Sequence, residues 1–172
     1  MRDIAGSTGP HAIRRVILAA LIGGVVAGAI DITYAIVASA AKGVSAARVL
    51  QSVASGLFDR AAFEGGAATA ALGAALHFAM TIVMAVLFIA AARSLRQVRQ
   101  NLVVAGLLYG AAIYFAMRWI VVPASNFPGD LRTIRWTELI VHMVGVGLVI
   151  ALAGRWLGAI PDEPRAASLH RA

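Results

Sequence analysis

Four stretches of this chain, each about twenty residues or longer, carry almost no charge, and that property leaves few folds open. They cover about 16–41, 66–92, 102–122 and 137–157. The hydrocarbon core of a bilayer is about 30 Å thick and takes about 20 helical residues to cross. Every run meets that length. Inside lipid the backbone must satisfy its own hydrogen bonds, and an open-ended run can do so only as a helix. Composition agrees, since 60% of the 172 residues are hydrophobic, 13% are charged, and the mean hydropathy is +0.83. Soluble domains stand nearer about 45–50% and about 25%. A soluble fold of this length has too little interior for so much apolar surface, so the excess must face lipid. The expectation is an all-α integral membrane protein of one domain (16–157), with four transmembrane helices in a bundle.

One carboxylate tests that reading. Asp31 lies well inside the first run, where a charged residue costs about 3 kcal/mol to insert. The same run holds eleven Val, Leu and Ile residues, each contributing roughly −0.3 to −0.6 kcal/mol, and the sum favours insertion. Arg14 and Arg15 before this run, with "AGA" at 27–29, imitate a signal peptide. The run continues through Ala41, too long for a signal core, and reads as an uncleaved span.

The formal charge of +7 comes almost wholly from arginine, with a single lysine at Lys42. The arginines sit at the edges of the apolar runs, which fits topology signals rather than a phosphate-binding face, so nucleic acid is not an expected partner. Arg2, Arg14, Arg15, Arg93, Arg96, Arg99, Arg155, Arg165 and Arg171 fall on one side. Lys42, Arg48, Arg60, Arg132 and Arg135 fall on the other. The heavier side is expected to be cytoplasmic, which puts both the N-terminal segment 1–15 and the polar tail 158–172 inside. Cysteine is absent, which removes disulfides and thiolate chemistry.

Between the first two spans, about 45–62, Val49, Leu50, Val53 and Leu57 recur at helical spacing. Arg48, Gln51, Ser52, Ser55 and Asp59 take the other side, which predicts an amphipathic surface helix, with Ser45 as its cap and Gly43 ending the preceding span. It serves either as an interfacial anchor or as a lid. "PASNFPGDLRTIR", 123–135, reads as a turn-rich loop. The tail from Pro161 reads as polar and disordered.

Residues four apart share a helix face. Gly65, Thr69, Gly73, His77 and Thr81 form one stripe, and Gly106, Gly110, Tyr114 and Arg118 another. Gly24, Gly28 and Asp31 mark the first span, and Glu138, His142 and Gly145 the fourth. Small residues let membrane helices approach closely, so these glycines are expected at helix contacts. The ionisable groups on the same stripes should then face the bundle interior. From the expected outer ends, Asp31 lies about 15 Å deep, His77 about 18 Å, His142 about 8 Å and Arg118 about 6 Å. This placement predicts a polar pocket open to the outside, with Asp31 and His77 as its deep titrating pair. Glu138 and His142 form the outer pair, with Arg118 as counter-charge.

The chemistry stays open among several classes. Glu138 and His142 have an E-x-x-x-H spacing that can chelate a metal, with His77 as a further candidate ligand. Two membrane histidines can also ligate haem if they face each other at one depth. Against both, Glu138 can simply pair with Arg118 or Arg135 while His142 bonds across helices, and no cofactor is then needed. Neither a nucleophilic triad nor a nucleotide-binding loop is present in a suitable context.

The succession "LHFAMTIVMAVLFIAA", "LLYGAAIYFAMRWIVVPAS" and "WTELIVHMVGVGLVIAL" resembles the YagU-like bacterial inner-membrane proteins (domain of unknown function 1440) over roughly residues 70–157. The resemblance rests on His77 early in a span, a later span ending near Pro123, and then Glu138 with His142. It implies a bacterial inner membrane and an association with acid resistance, without an established activity. The expected function is that of a small non-enzymatic membrane protein handling protons or a small ligand. The alternatives are a metal- or haem-dependent membrane enzyme, and a scaffold whose glycine faces bind another membrane protein or a second copy of the chain.

Overall fold

The computed structural model describes residues 9–161, and helix is the regular structure found among them. Residues 162–172 of the expected tail (158–172) and the first eight residues lie outside the described residues. Helix α1 (Pro10–Ala40) begins earlier than the apolar run does, on a proline whose missing N–H costs nothing in a first turn. After it, Gly43 takes a positive φ of 75°, a conformation glycine adopts without strain. The Ser45 hydroxyl then accepts the Arg48 N–H at 3.3 Å, capping α2 (Ala46–Phe58). A 3-10 turn (Asp59–Phe63) leads into α3 (Gly66–Ser94). The short α4 (Arg96–Gln100), which the sequence did not suggest, connects to α5 (Leu102–Val121). A long irregular loop then reaches α6 (Trp136–Trp156).

Four of these helices, α1, α3, α5 and α6, are long and apolar enough to cross a membrane. Trp136 and Trp156, at the two ends of α6, are 68% and 78% exposed. Twenty steps separate them, about 30 Å, so the two indoles bracket one hydrocarbon thickness, where tryptophan concentrates in membrane proteins.

The bundle carries large apolar side chains on its outside as well as in its core. Ile17, Leu21, Val83, Leu87, Val103, Leu108 and Ile140 are exposed, while glycine and alanine line the closest helix contacts beside a few large side chains such as Phe88, Ile89 and Ile150. Lipid is as apolar as leucine, so burying large side chains between helices gains little, and close backbone approach holds the bundle instead. A Cβ on Gly24 would lie 2.6 Å from the Ile82 Cα, and one on Gly28 would lie 2.7 Å from the Thr81 hydroxyl. These two glycines therefore set the α1–α3 crossing. Gly106 and Gly110 do the same against Gly147, His142 and Met143 of α6, where a Cβ on Gly110 would overlap the His142 carbonyl. Gly145 admits Ile30 of α1, and Gly73 admits the backbone of α2 at Leu50. Helix α1 thus lies between α3 and α6, and α5 runs along α6. Helices α3 and α5 meet through Tyr109, whose hydroxyl donates to the Met84 carbonyl at 2.8 Å and whose ring packs 5.1 Å from Phe88.

Helix α2 lies against the first turns of α3, but its faces divide differently from the expectation. Gln51 and Ser55, expected on the polar surface, are buried, and Leu57 is exposed. The approach at Gly73 is the cause, because it presses that side of α2 onto α3. Gln51 then finds a partner there, donating to the Gly66 carbonyl at 3.0 Å. The loop after α5 is tied to α2 in turn: the Asn126 N–H donates to the Gly56 carbonyl at 2.9 Å, and its side chain to Leu57.

Candidate functional site

The polar residues gather at one end of the bundle, in the contact among α1, α5, α6 and the loop between the last two. Two helices change winding there. Met117–Val121 at the end of α5 and His142–Leu148 in α6 are π-wound, and the Val122 N–H reaches back five residues to Met117 at 2.8 Å. Such bulges shift the register of side chains and are frequent at functional sites. One carries Arg118 and the other opens with His142.

Arg118 is 6% exposed, and every contact it makes offsets the loss of water. It pairs with the Glu138 carboxylate, donates to the Leu131 carbonyl, and donates to the Thr133 carbonyl at 3.0 Å. Its guanidinium also lies 4.7 Å from the centre of the Tyr114 ring. The other Glu138 oxygen pairs with Arg135, one turn earlier. Glu138 is therefore clamped by one guanidinium on each oxygen. The Tyr114 hydroxyl accepts the Arg135 N–H at 2.8 Å, holding the start of α6 against α5.

His142 joins this network from the next turn. Its ring meets Tyr114 edge-on at 5.4 Å, and its Nδ1 lies 2.9 Å from the Glu138 carbonyl. A carbonyl only accepts, so the hydrogen of a neutral His142 sits on Nδ1. The same Nδ1 is 3.5 Å from an Asp31 carboxylate oxygen on α1, too long for a strong hydrogen bond but close for opposite charges. Nε2 is then the atom that can take up a proton. The Asp31, His142 and Glu138 side chains keep 19%, 18% and 19% of their exposure, so the site is shielded without being sealed. Three residues along α1, Tyr34 donates to the Thr137 hydroxyl at 2.7 Å, a second polar tie between α1 and α6.

The pairing differs from the one expected. Asp31 meets His142, while His77 reaches α1 from the α3 side and is buried there, its Nε2 donating to the Gly28 carbonyl at 2.9 Å. Gly28 and Asp31 are three residues apart, a turn of 300°, which leaves Asp31 about 60° round the helix from the α3 contact. That offset turns it towards α6. The two histidines thus approach α1 from different neighbours, and they do not face each other as haem ligands would. Glu138 is likewise turned to arginine, and no group of three or more His, Asp or Glu among the described residues stands close enough to hold a metal ion. The cluster is packed: Tyr114 is 1% exposed and fills its centre. Two surface grooves lie elsewhere, on the apolar outer face of α1.

Sequence reasoning missed Thr133 and Leu131, which act through backbone carbonyls that carry no residue signature. Arg135 was legible as a partner of Glu138; Tyr34 and Thr137 were missed, although Tyr34 stands one turn from Asp31 and Thr137 beside Glu138. Comparison with known proteins supplies no further guide: no family model matches the chain, and neither a curated protein nor a solved structure is similar to it.

Proposed function

We propose that this chain is a small, non-enzymatic protein of a bacterial inner membrane, with both termini cytoplasmic, that takes up a proton from the outer side at the Asp31–His142 pair. One observation carries the reading: Asp31 on α1 stands 3.5 Å from the Nδ1 of His142 on α6, in a partly shielded site. Glu138 is already matched by two arginines, so Asp31 is the carboxylate left to balance an imidazolium. Two guanidiniums and two carboxylates leave the cluster neutral while His142 is neutral. A proton on Nε2 adds one positive charge, and Asp31 is beside it. Because the two residues belong to different transmembrane helices, protonation tightens the α1–α6 contact, and the resemblance to proteins associated with acid resistance suits such a response.

The test is the imidazole nitrogen spectrum of histidine-labelled protein in lipid bilayers, titrated between about pH 5 and 8, the range in which histidine commonly changes charge. The expected result is a reversible protonation assigned to His142 by its loss in His142→Gln, with a midpoint displaced by Asp31→Asn. A His142 signal that stays neutral throughout, or one indifferent to Asp31→Asn, would overturn the proposal.

A further inference from the structure

Helix α2 ends abruptly, and the loop 122–135 supplies what its end lacks. Asp59 takes a φ of 50°, a left-handed value that stops the helix there. The last carbonyls of a helix have no partner within it. Two of them, on Gly56 and Leu57, accept from Asn126 across the molecule. Its backbone N–H reaches Gly56 at 2.9 Å, and its side-chain amide reaches Leu57 at 2.9 Å. A Cβ on Gly56 would lie 3.7 Å from the Ser125 Cβ, so the two segments also touch.

The far arm of the same loop lies over the polar cluster. Arg118 donates to the Leu131 and Thr133 carbonyls, and the Arg135 N–H donates to the Tyr114 hydroxyl. From the loop inwards the order is the two carbonyls, the Arg118 guanidinium, the Tyr114 ring 4.7 Å from it, and the His142 ring 5.4 Å further on. Tyr114 is fixed by burial. The loop is held differently: Leu131 and Ile134 are 37% and 41% exposed, and Arg132 and Thr133 are exposed beside them. Polar ties rather than packing keep it in place, and segments held in that way open at a lower free energy than a core does.

We propose that the loop 122–135 is a strap that opens and closes over the outer mouth of the Asp31–His142 site, with Asn126 on the end of α2 as its fastening. The proposal rests on the reading of that site as a place where a proton arrives from outside, and it adds what controls the arrival. Unfastening Asn126 frees the near arm from α2, and the far arm can then lift from Arg118. The guanidinium keeps the Glu138 carboxylate throughout, so opening strands no buried charge. The closed form predominates, and locking it therefore slows exchange with water without moving the equilibrium of the site.

The chain has no cysteine of its own, so Gly56→Cys/Ser125→Cys introduces a single pair, at a Cβ separation that a disulfide spans. Exchange of the His142 imidazole N–H with water is followed by nuclear magnetic resonance on histidine-labelled full chain in lipid bilayers, at about pH 8, where an ordinary histidine is neutral. Oxidation is expected to slow that exchange by about tenfold or more, and reductant should restore it. Wild type should not respond to either reagent. Asn126→Ala, which removes the bond to Leu57, should speed exchange by roughly two- to tenfold, and it decides the matter if the cysteine variant folds poorly. Exchange indifferent to both changes would overturn the strap, as would a disulfide that moves the His142 protonation midpoint without slowing exchange. A neutral imidazole exchanges its N–H whether or not the ring titrates. A His142 that stays neutral at low pH, with exchange still slowed by the disulfide, would thus remove the proton-uptake reading and leave the strap standing.

Discussion

The two ends of this bundle are held together by opposite means. At the arginine-rich end, Ala19, Ala20, Ala85, Ala92, Ala151 and Ala159 surround Phe88, Ile89, Ile150 and Ile160 in a dry core. Among the described residues, the buried side chains of that core carry no ionisable group. At the other end the same helices are joined by the Asp31–His142 pair, the Tyr34–Thr137 and Tyr114–Arg135 hydrogen bonds, and the Arg118–Glu138–Arg135 clamp. Van der Waals packing varies little with conditions, whereas a polar contact in low dielectric changes with each proton or partner. The comparison teaches where a response can reside. The apolar end offers few contacts that chemistry could alter, and the polar end offers several.

The strongest way to break this contrast is to remove the close approach that both ends share. At Gly110 a Cβ would meet the backbone of His142 and Met143, and backbone cannot rotate away as a side chain can. Gly110→Leu is therefore expected to cost more than about 3 kcal/mol, separating α5 from α6 and abolishing cooperative unfolding in bilayer micelles. Gly9→Leu, where a Cβ meets nothing, provides the matched control, and equal behaviour of the two variants would refute the glycine-contact account. Next in size is the buried clamp. Arg118→Met leaves Glu138 with only the half-exposed Arg135, and Glu138→Gln leaves Arg118 without its carboxylate. Each is expected to cost about 3–5 kcal/mol, because one partner is stranded. The double variant Arg118→Met/Glu138→Gln should recover much of that loss. A double variant as unstable as the sum of the singles would mean that the two residues do not act as a pair.

Those contacts differ in how far the sequence foretold them. Apolar length and edge charge made the four membrane helices legible, since lipid imposes both on any chain that crosses it. The glycine faces were legible for the same reason, and Gly24, Gly28, Gly73, Gly106, Gly110 and Gly145 all lie where another element comes close. They contact helices of this same chain, so they are not free faces for an outside partner. Partner choice was harder to read. Spacing places Gly28 and Asp31 on one broad stripe, and only the assembled bundle shows that α3 takes the first while α6 takes the second. The π-turns at Met117 and His142 also escaped, because a single extra residue in a turn leaves the apolar pattern intact. Gln51 and Ser55 misled for a related reason: polar side chains read as exposed until a bare glycine opposite them draws the helix in.

Smaller effects sharpen the contrast at the polar end. Asp31→Asn keeps the shape of the side chain and removes its charge. The pair is partly exposed and its separation is 3.5 Å, so the stability lost near neutral pH is expected to be at most about 1 kcal/mol. Its signature is instead the loss of pH sensitivity: the wild-type α1–α6 distance, read by paired spin labels, should shorten on acidification, and that of Asp31→Asn should not. Identical responses in the two proteins would assign the sensitivity to another group and remove the role given to the pair.

Tyr34→Phe provides the finest cut. Its hydroxyl donates to Thr137 at 2.7 Å, one turn above the Asp31–His142 pair and across the same α1–α6 contact. Removing one neutral hydrogen bond costs about 0.5–1.5 kcal/mol, and less where lipid headgroups and water can substitute. If the polar end works as a set of parallel ties, Tyr34→Phe and Asp31→Asn should weaken the contact by more together than their separate effects add up to, because each alone leaves the other holding the helices in register. If instead the two effects simply add, the ties are independent, and the response to a proton is confined to Asp31 and His142. The double-mutant cycle, measured as unfolding free energy in the same bilayer, separates these outcomes, and repeating it with Ala20→Gly at the apolar end sets the value expected for residues that share no contact.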